Sequence, residues 1–287
     1  MLNETDPAAS GVTVVILTHN EERNIGQALA SVAGWADDIY VLDSFSSDNT
    51  VEIAQKYHAH IFQNRFVNFS LQRNHALALL PNATKWVMFL DADEWLSDAL
   101  KAEIREKVAR DPDEKGFYIN RKLIWMGTWI RRGYFPSWQL RLFRHGFGKC
   151  EERSVNEHFV IDGNTGFLEN TFSDENHNGV HRWILKHNDY AEREAGELSN
   201  PSAVSENVTG RFFGSQIERR RWIRLHIWNK MPCGVRPIIY FLYRYIFLLG
   251  FLDGKMAFYF HFLQALWYPL LIDLKFLEAK IKDGRNV

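Results

Sequence analysis

The chain has 287 residues, enough for one large domain or one and a half, and carries 34 Lys+Arg against 35 Asp+Glu, a net charge of -1. That balance excludes a generally basic nucleic-acid binder, and a hydrophobic content of 46% excludes a disordered chain. Two cysteines, Cys150 and Cys233, are too few for a disulfide framework or a four-ligand metal site and point to a reducing compartment; the start, MLNETDPAAS, has no secretory-signal pattern.

Residues 12–18, VTVVILT, read as a buried strand, and 24–34 place Ile25, Ala28, Leu29 and Val32 at helical spacing. Residues 39–42, IYVL, form a second strand ending on Asp43. The polar turn SFSSDNT follows, with Ser47 or Asp48 as cap for a helix over 50–57. His60 to Phe62 make a third short strand, 70–80 a helix, and 86–90, WVMFL, a fourth strand ending on Asp91. Strand, polar turn and helix in this order predict an α/β fold with a mostly parallel sheet flanked by helices. A helix from Asp98 to about Val108 precedes strand-like pieces near 116–119 and 139–143. Residues 121–137 and 145–180 read as loops or short elements, 181–195 as a helix, and 196–208 as a polar linker. From about Phe212 the chain reads as helices broken at Pro232, Gly234, Gly250 and Pro269.

In an open α/β sheet, ligands bind outside the carboxyl ends of the strands. Three predicted strands end in chemistry: Thr18-His19-Asn20-Glu21-Glu22, Asp43-Ser44 and Asp91-Ala92-Asp93-Glu94. Asp91 and Asp93, one small residue apart, can share a divalent cation such as Mg²⁺ or Mn²⁺, with substrate phosphates completing its shell. The plain alternative is a solvated turn in which Asp93 caps the next helix. Asp43 is placed to accept from a base or a ribose hydroxyl. No G-x-G-x-x-G follows the first strand, which disfavours a dinucleotide and suits a nucleoside diphosphate gripped through metal. Arg73, near the start of a predicted helix, is a phosphate partner or else a surface arginine.

The segments THNEERNIGQAL, VLDSFSSDNT, FSLQRNHAL and FLDADEWL resemble the corresponding blocks of an inverting family 2 glycosyltransferase with a GT-A fold. QLRLFRHG and ERSVNEHF resemble the branch that adds glucose to the heptose of the lipopolysaccharide inner core; together the blocks cover roughly residues 12–195. The resemblance implies a GT-A (Rossmann-like) catalytic domain, read here over residues 10–210, with a helical, membrane-proximal extension over 211–287. It implies nucleotide contacts from Thr18, Asn20 and Glu22, with Asp43 beside the base or ribose and Arg73 facing the nucleotide. It puts Asp91 and Asp93 at the metal and the diphosphate of a UDP-sugar donor. Thr-His-Asn stands where many relatives have Pro-x-Asn or Thr-Tyr-Asn, which keeps the loop polar and changes its shape.

Inverting transfer needs a group that takes the proton of the attacking acceptor hydroxyl, while metal and arginine stabilise the charge growing on the diphosphate. Glu157, in SVNEHF, resembles the acidic residue of the branch's Val-His-Glu block, although Asn156 replaces the His. Glu151 and Glu152 are runners-up, and Glu94, beside the metal motif, ranks behind them. Arg141 and Arg144 would face opposite sides of a strand, so at most one points into the site. Arg131 and Arg132, beside Trp125 and Trp129, are candidates for acceptor phosphates, with core packing an equal alternative for the tryptophans. His177 is a candidate contact to metal or diphosphate. It makes no zinc pair with His181, because Gly179 intervenes and no Glu holds the zincin position.

Arg219, Arg220, Arg221, Arg224, Lys230, Arg236 and Arg244 precede an apolar, aromatic region in which Met256–Ile272 carries no formal charge. A basic belt next to aromatic-rich amphipathic helices predicts a segment lying in an anionic interface. A closed or oligomer-forming helical subdomain, and a membrane span or re-entrant hairpin, are the alternatives. The function expected is hexosyl transfer, glucose from UDP-glucose onto an inner-core heptose or similar membrane-linked glycan, at the cytoplasmic face of the inner membrane. A nucleotidyltransferase would need a glycine-rich loop that LTHNEERN does not supply. For a non-catalytic glycan-binding protein, Asp91 and Asp93 would be dispensable.

Overall fold

A computed structural model describes residues 10–151, 158–199, 213, 219, 222–223, 226–282 and 284. The chain forms two compact units that part at Gly179. That parting comes earlier than the boundary expected near residue 210. The reason is the helix Gly179–Ser199, whose Glu194 accepts from Tyr268 and whose Glu192 pairs with Lys275, both on the C-terminal helix.

In the N-terminal unit the first four strands are β1 (Val12–Thr18), β2 (Asp38–Asp43), β3 (His60–Gln63) and β4 (Trp86–Asp91). They are followed by β5 (Glu94–Leu96), β6 (Gly116–Trp125), β7 (Thr128–Trp129), β8 (Trp138–Arg144), β9 (Gly148–Cys150), β10 (Phe159–Ile161) and β11 (Thr165–Asp174). Nine strands make one sheet in the order β3-β2-β1-β4-β8-β6-β11-β5, with β7 paired to β6 off this path, while β9 and β10 form a separate hairpin. Pairing is parallel from β3 through β4, and between β6 and β11. It is antiparallel at β4–β8, β8–β6 and β11–β5. The sheet is therefore mixed rather than mostly parallel. The connection from β6 to β8 holds a tight hairpin and no crossover helix, so the two strands must run antiparallel.

Local chemistry accounts for the helices that carry the first strands. In α1 (Ile25–Val32) the buried residues are Ile25, Ala28, Leu29 and Val32, one apolar face in helical register. Asp48 accepts from both the Thr50 amide and hydroxyl at the start of α2 (Thr50–Gln55). Burial lifts the Asp48 carboxyl, but these bonds outweigh it and hold the group below its ordinary range. Asn68 caps α3 (Phe69–Leu79), and Ser97, not Asp93, caps α4 (Asp98–Ala109). The apolar faces of α1 and α4 pack with Val14, Ile16, Met88 and Leu90 on one side of the sheet. Ala76 of α3 packs with Val15, Val87, Phe89 and Phe159 on the other.

Two regions expected as loops are strands. β6 runs on to Trp125 and turns through Met126 and Gly127, with φ of 48° and 77°, the left-handed pair that a two-residue hairpin turn requires. Residues 145–180 contain β9 and β10, three residues each and paired with one another, and β11, whose mostly polar sequence carries little strand signal and which is held by pairing with β6 and β5.

The C-terminal unit is helical. Among its described elements are α5 (Gly179–Ser199), α6 (Val235–Leu242) running into a π turn at Tyr243–Phe247, and a 3-10 turn at Gly250–Asp253. A run through α7 (Lys255–His261), a π turn at Phe262–Trp267 and α8 (Tyr268–Lys282) completes it. Breaks fall at Pro232, Gly234 and Gly250 as expected, but Pro269 sits near the start of α8 directly after a π turn and does not interrupt the run. Two arginines of the expected basic belt do not reach the surface. Arg236 is buried against Asp273, and Arg244 is buried with Nη1 donating to the Tyr240 hydroxyl at 2.9 Å. Arg220, Arg221 and Arg224 lie outside the described residues. No described helix is long and apolar enough to cross a membrane.

Candidate active site

Parallel register aligns the polar strand ends: Thr18 is level with Asp43 on one side, and Leu17 with Asp91 on the other. Neighbouring strands lie about 4.8 Å apart, so three predicted chemical positions share one edge of the sheet. Thr18 is buried there, and its hydroxyl oxygen has no hydrogen-bond partner among the described residues. An orphaned buried donor is costly unless something else satisfies it.

Asn20 and Glu22 brace the first loop against the second. Asn20, at φ 54°, receives the Ser47 amide on its side-chain oxygen at 2.7 Å and donates its own amide to Ser46 Oγ at 2.8 Å. Glu22 accepts from Asn49 Nδ2 at 2.9 Å. Asp43 differs from expectation. It is fully buried, and its carboxylate accepts from the Ser46 amide and hydroxyl and from Gln63, at 2.9, 2.5 and 3.1 Å. It therefore shapes the turn that holds Phe45 at φ 58° and presents no surface to a base or ribose.

The acidic motif is held from behind by arginine. Arg141 is buried and its Nη2 donates to Asp91 Oδ2 at 3.0 Å and to Glu94 Oε1 at 2.5 Å, while Glu94 Oε2 accepts the Asp91 amide at 2.9 Å. Arg73 Nη2 lies 3.5 Å from the other Asp91 oxygen, with its guanidinium over Phe69 and Phe159. Burial pushes the Glu94 carboxyl up to about 8 against the pull of Arg141, with Asp91 and Asp174 pushing it further. Burial weakens the charge on Arg141, but Glu94 and Asp91 more than restore it, so its affinity for the proton is raised. Arg141 thus positions the two carboxylates and is not an open phosphate site. Arg144 is elsewhere: it pairs with Trp86 at the opposite end of β4, bonds Asp111 at 2.6 Å and the Pro112 carbonyl at 2.8 Å, and takes no part in the site.

Asp93 is in a different state from Asp91. Its Oδ2 accepts from Asn176 Nδ2 at 2.8 Å, it pairs with no cation among the described residues, and its Oδ1 has no partner there. The segment after β11 is stitched over this corner. The Asn24 side chain accepts the His177 amide at 2.8 Å, and Asn178 Nδ2 donates to Glu21 at 2.8 Å. His177 itself is exposed, with Nε2 3.9 Å from Glu175. Glu175 accepts the Gly127 amide at 2.7 Å, which ties in the β6–β7 hairpin. Arg131 is exposed over Trp129, which also meets Lys122, and Arg132 is half-buried.

Glu157 and Glu152 lie outside the described residues, but the stem of their segment does not. Asn74 of α3 bonds both the amide and the carbonyl of Cys150, at 2.8 and 2.9 Å, and Glu151 returns to His158 at 3.0 Å. Phe159 packs under Arg73, so this stem adjoins the Asp91 corner. Glu151 is buried. Sequence reasoning passed over Asn74, Asn176, Asn178, Asn24 and Arg121, and gave Glu21 of the first loop no role of its own. Arg121 is half-buried between Asp174, at 3.0 Å, and Tyr134, at 2.5 Å.

A mixed sheet whose carboxyl edge gathers a buried threonine, an arginine-gripped aspartate and a second aspartate with an open oxygen defines the candidate active site of an α/β enzyme domain. The sequence profile of Glycosyl transferase family 2 matches residues 13–173, and the chain belongs to that family. A glycosyltransferase of Rickettsia conorii is 32% identical over 154 residues, 54% of this chain and 51% of that protein. The lipopolysaccharide core biosynthesis glycosyltransferase LpsC of Rhizobium meliloti is 30% identical over 165 residues, 54% of this chain and 59% of that one. The match thus spans little more than half the length of these relatives. Among solved structures, the mannosyltransferase PcManGT of Pyrobaculum calidifontis, in complex with GDP-Man and Mn²⁺, has the same fold at a TM-score of 0.51 and 13% identity, over 94% of this chain and 87% of that one.

Proposed function

We propose that the chain is an inverting hexosyltransferase that moves glucose from UDP-glucose onto an inner-core heptose of lipopolysaccharide, or a similar lipid-linked glycan, beside an anionic membrane surface at the cytoplasmic face of the inner membrane. The observation that carries this reading is the asymmetry of the acidic motif: Asp91 is gripped by Arg73 and Arg141, and Asp93 keeps one oxygen open beside it. LpsC, named for lipopolysaccharide core biosynthesis, supports the acceptor class.

The residues fit a hard divalent cation. Asp93 offers a carboxylate oxygen, no cluster of three protein ligands exists among the described residues, and diphosphate oxygens are suited to complete such a shell. A bound Mg²⁺ or Mn²⁺ would neutralise charge on the departing diphosphate. Arg73 adds positive charge at the same corner, and the Thr18 hydroxyl is available to a donor oxygen. Glu157 takes the proton of the acceptor hydroxyl as its oxygen attacks the anomeric carbon and the bond to UDP breaks. Isothermal titration with UDP should show Mn²⁺-dependent binding that Asp93→Ala weakens at least tenfold; unchanged binding removes Asp93 from the metal. Glu157→Gln should keep UDP binding and lose transfer, and near-normal turnover removes it as base. A screen of nucleotide sugars against core acceptors, with the product linkage determined, tests donor and acceptor together.

A further inference from the structure

The helical segment from Val235 to Phe262 is built inside out. Val235, Ile238, Ile239, Leu242, Tyr243 and Ile246 recur at helical spacing and are all exposed. The face turned inward carries Arg236 on Asp273 and Arg244 on the Tyr240 hydroxyl. A helix packed for water does the reverse. The apex between the helices is also apolar: Phe247 is 77% exposed, and Leu248, Leu249, Phe251 and Leu252 are exposed beside it. Phe258, Tyr259 and Phe262 continue the surface on the returning helix. Contiguous apolar exposure on this scale marks a partner site.

Backbone chemistry selects the partner. The amides of Leu248, Leu249, Leu252 and Gly254 at the apex all bond to carbonyls within the segment, on Tyr243, Ile246, Leu249 and Phe251. A turn that meets water or a protein partner can leave such groups open; one that enters hydrocarbon cannot. Lys230 and Lys255 are exposed at the borders of the surface and match anionic headgroups, while Asp253 closes the apex turn half-buried. From Val235 to Phe247 the helix rises about 20 Å, short of the roughly 30 Å hydrocarbon core.

We infer that residues 235–262 are a monotopic insertion hairpin, whose apex at Phe247–Leu252 enters one leaflet of a lipid bilayer and returns. This rests on the proposed membrane setting and changes its physics: apolar burial supplies affinity that salt does not screen, while Arg236 and Arg244 of the basic belt are spent inside the fold.

The test is co-sedimentation of the full chain with phosphatidylcholine vesicles, with and without 30% phosphatidylglycerol, at about 0.1 and 0.5 M salt. Insertion predicts binding to both vesicle types that survives high salt. Phe247→Ser/Phe251→Ser should weaken it at least tenfold, on the order of one buried aromatic side chain, while UDP titration is unchanged. Phe251→Trp should gain fluorescence that acyl-chain-brominated lipid quenches. Binding confined to anionic vesicles and abolished by salt would overturn insertion and leave the membrane setting standing. No binding to any vesicle would overturn both. Self-association of the wild type that Phe247→Ser/Phe251→Ser abolishes, without vesicle binding, would assign the face to a second copy instead.

Discussion

Arg141→Met should destabilise the N-terminal unit far more than the loss of one side chain suggests. The guanidinium is buried and bonds both Asp91 and Glu94, and Glu94 is itself buried with only 1% of its surface exposed. Removing one partner of a buried ion pair costs about 3–5 kcal/mol, because a charge is left without compensation. Glu94 can relieve part of this by holding a proton, since burial already lifts it from 4.5 to about 8. Between those values the folded state keeps a proton that the unfolded chain has released, so stability falls as pH rises. That contribution is complete below 4.5 and gone once pH passes 8. Without Arg141 the folded value climbs further, so the deficit of the variant should widen from pH 6 to pH 9. At pH 8 a loss of about 3 kcal/mol corresponds to a Tm lower by roughly 6–12 °C. Urea unfolding followed by tryptophan fluorescence at the two pH values measures it. Glu94→Gln added to Arg141→Met should recover part of the loss, because a neutral amide can still accept from the Asp91 amide. A single-variant loss under 1 kcal/mol at both pH values, or a double variant worse than the single, would refute the assignment of Arg141 as the clamp of this motif.

Phe45→Gly should stabilise by about 0.5–1 kcal/mol in thermal melts, since Phe45 sits at φ 58° with 57% of its surface exposed and glycine removes the steric cost. Gly250→Ala should destabilise the helical unit by about 1–3 kcal/mol in urea, because its new methyl would stand 2.7 Å from His261 Nε2 and 2.9 Å from the Arg244 carbonyl. Burial pulls His187 down from 6.5 to about 4, so the folded state refuses a proton that the unfolded chain accepts in that window. Its contribution is whole above pH 6.5 and is lost as pH falls toward 4. Allowing for partial exposure this is on the order of 2 kcal/mol, and His187→Gln should flatten that slope.

The first four strands and their helices were legible because their signal is local: apolar β-branched runs that stop on a polar residue, then an amphipathic period. VTVVILT and WVMFL needed no partner to be read, and parallel register then had no choice but to bring Thr18, Asp43 and Asp91 to one edge. β11 was invisible for the opposite reason. TGFLENTFSD carries six polar positions in ten and exists because β6 and β5 pair with it from far along the chain.

The same division runs through the site. Residue types and spacing alone singled out Asp91, Asp93 and Arg73 as candidates. Only the tertiary structure decided what each one touches, because a charge acts over a few ångströms on whatever the fold sets beside it. It sent Arg141 behind the acidic motif and Arg144 to the far end of β4, turned Asp43 inward onto Ser46, and brought Asn176 to Asp93. In the C-terminal unit the sequence determined a basic and aromatic stretch. The fold buried two of its arginines and left the apolar face outside, since Asp273 and the Tyr240 hydroxyl were there to meet them.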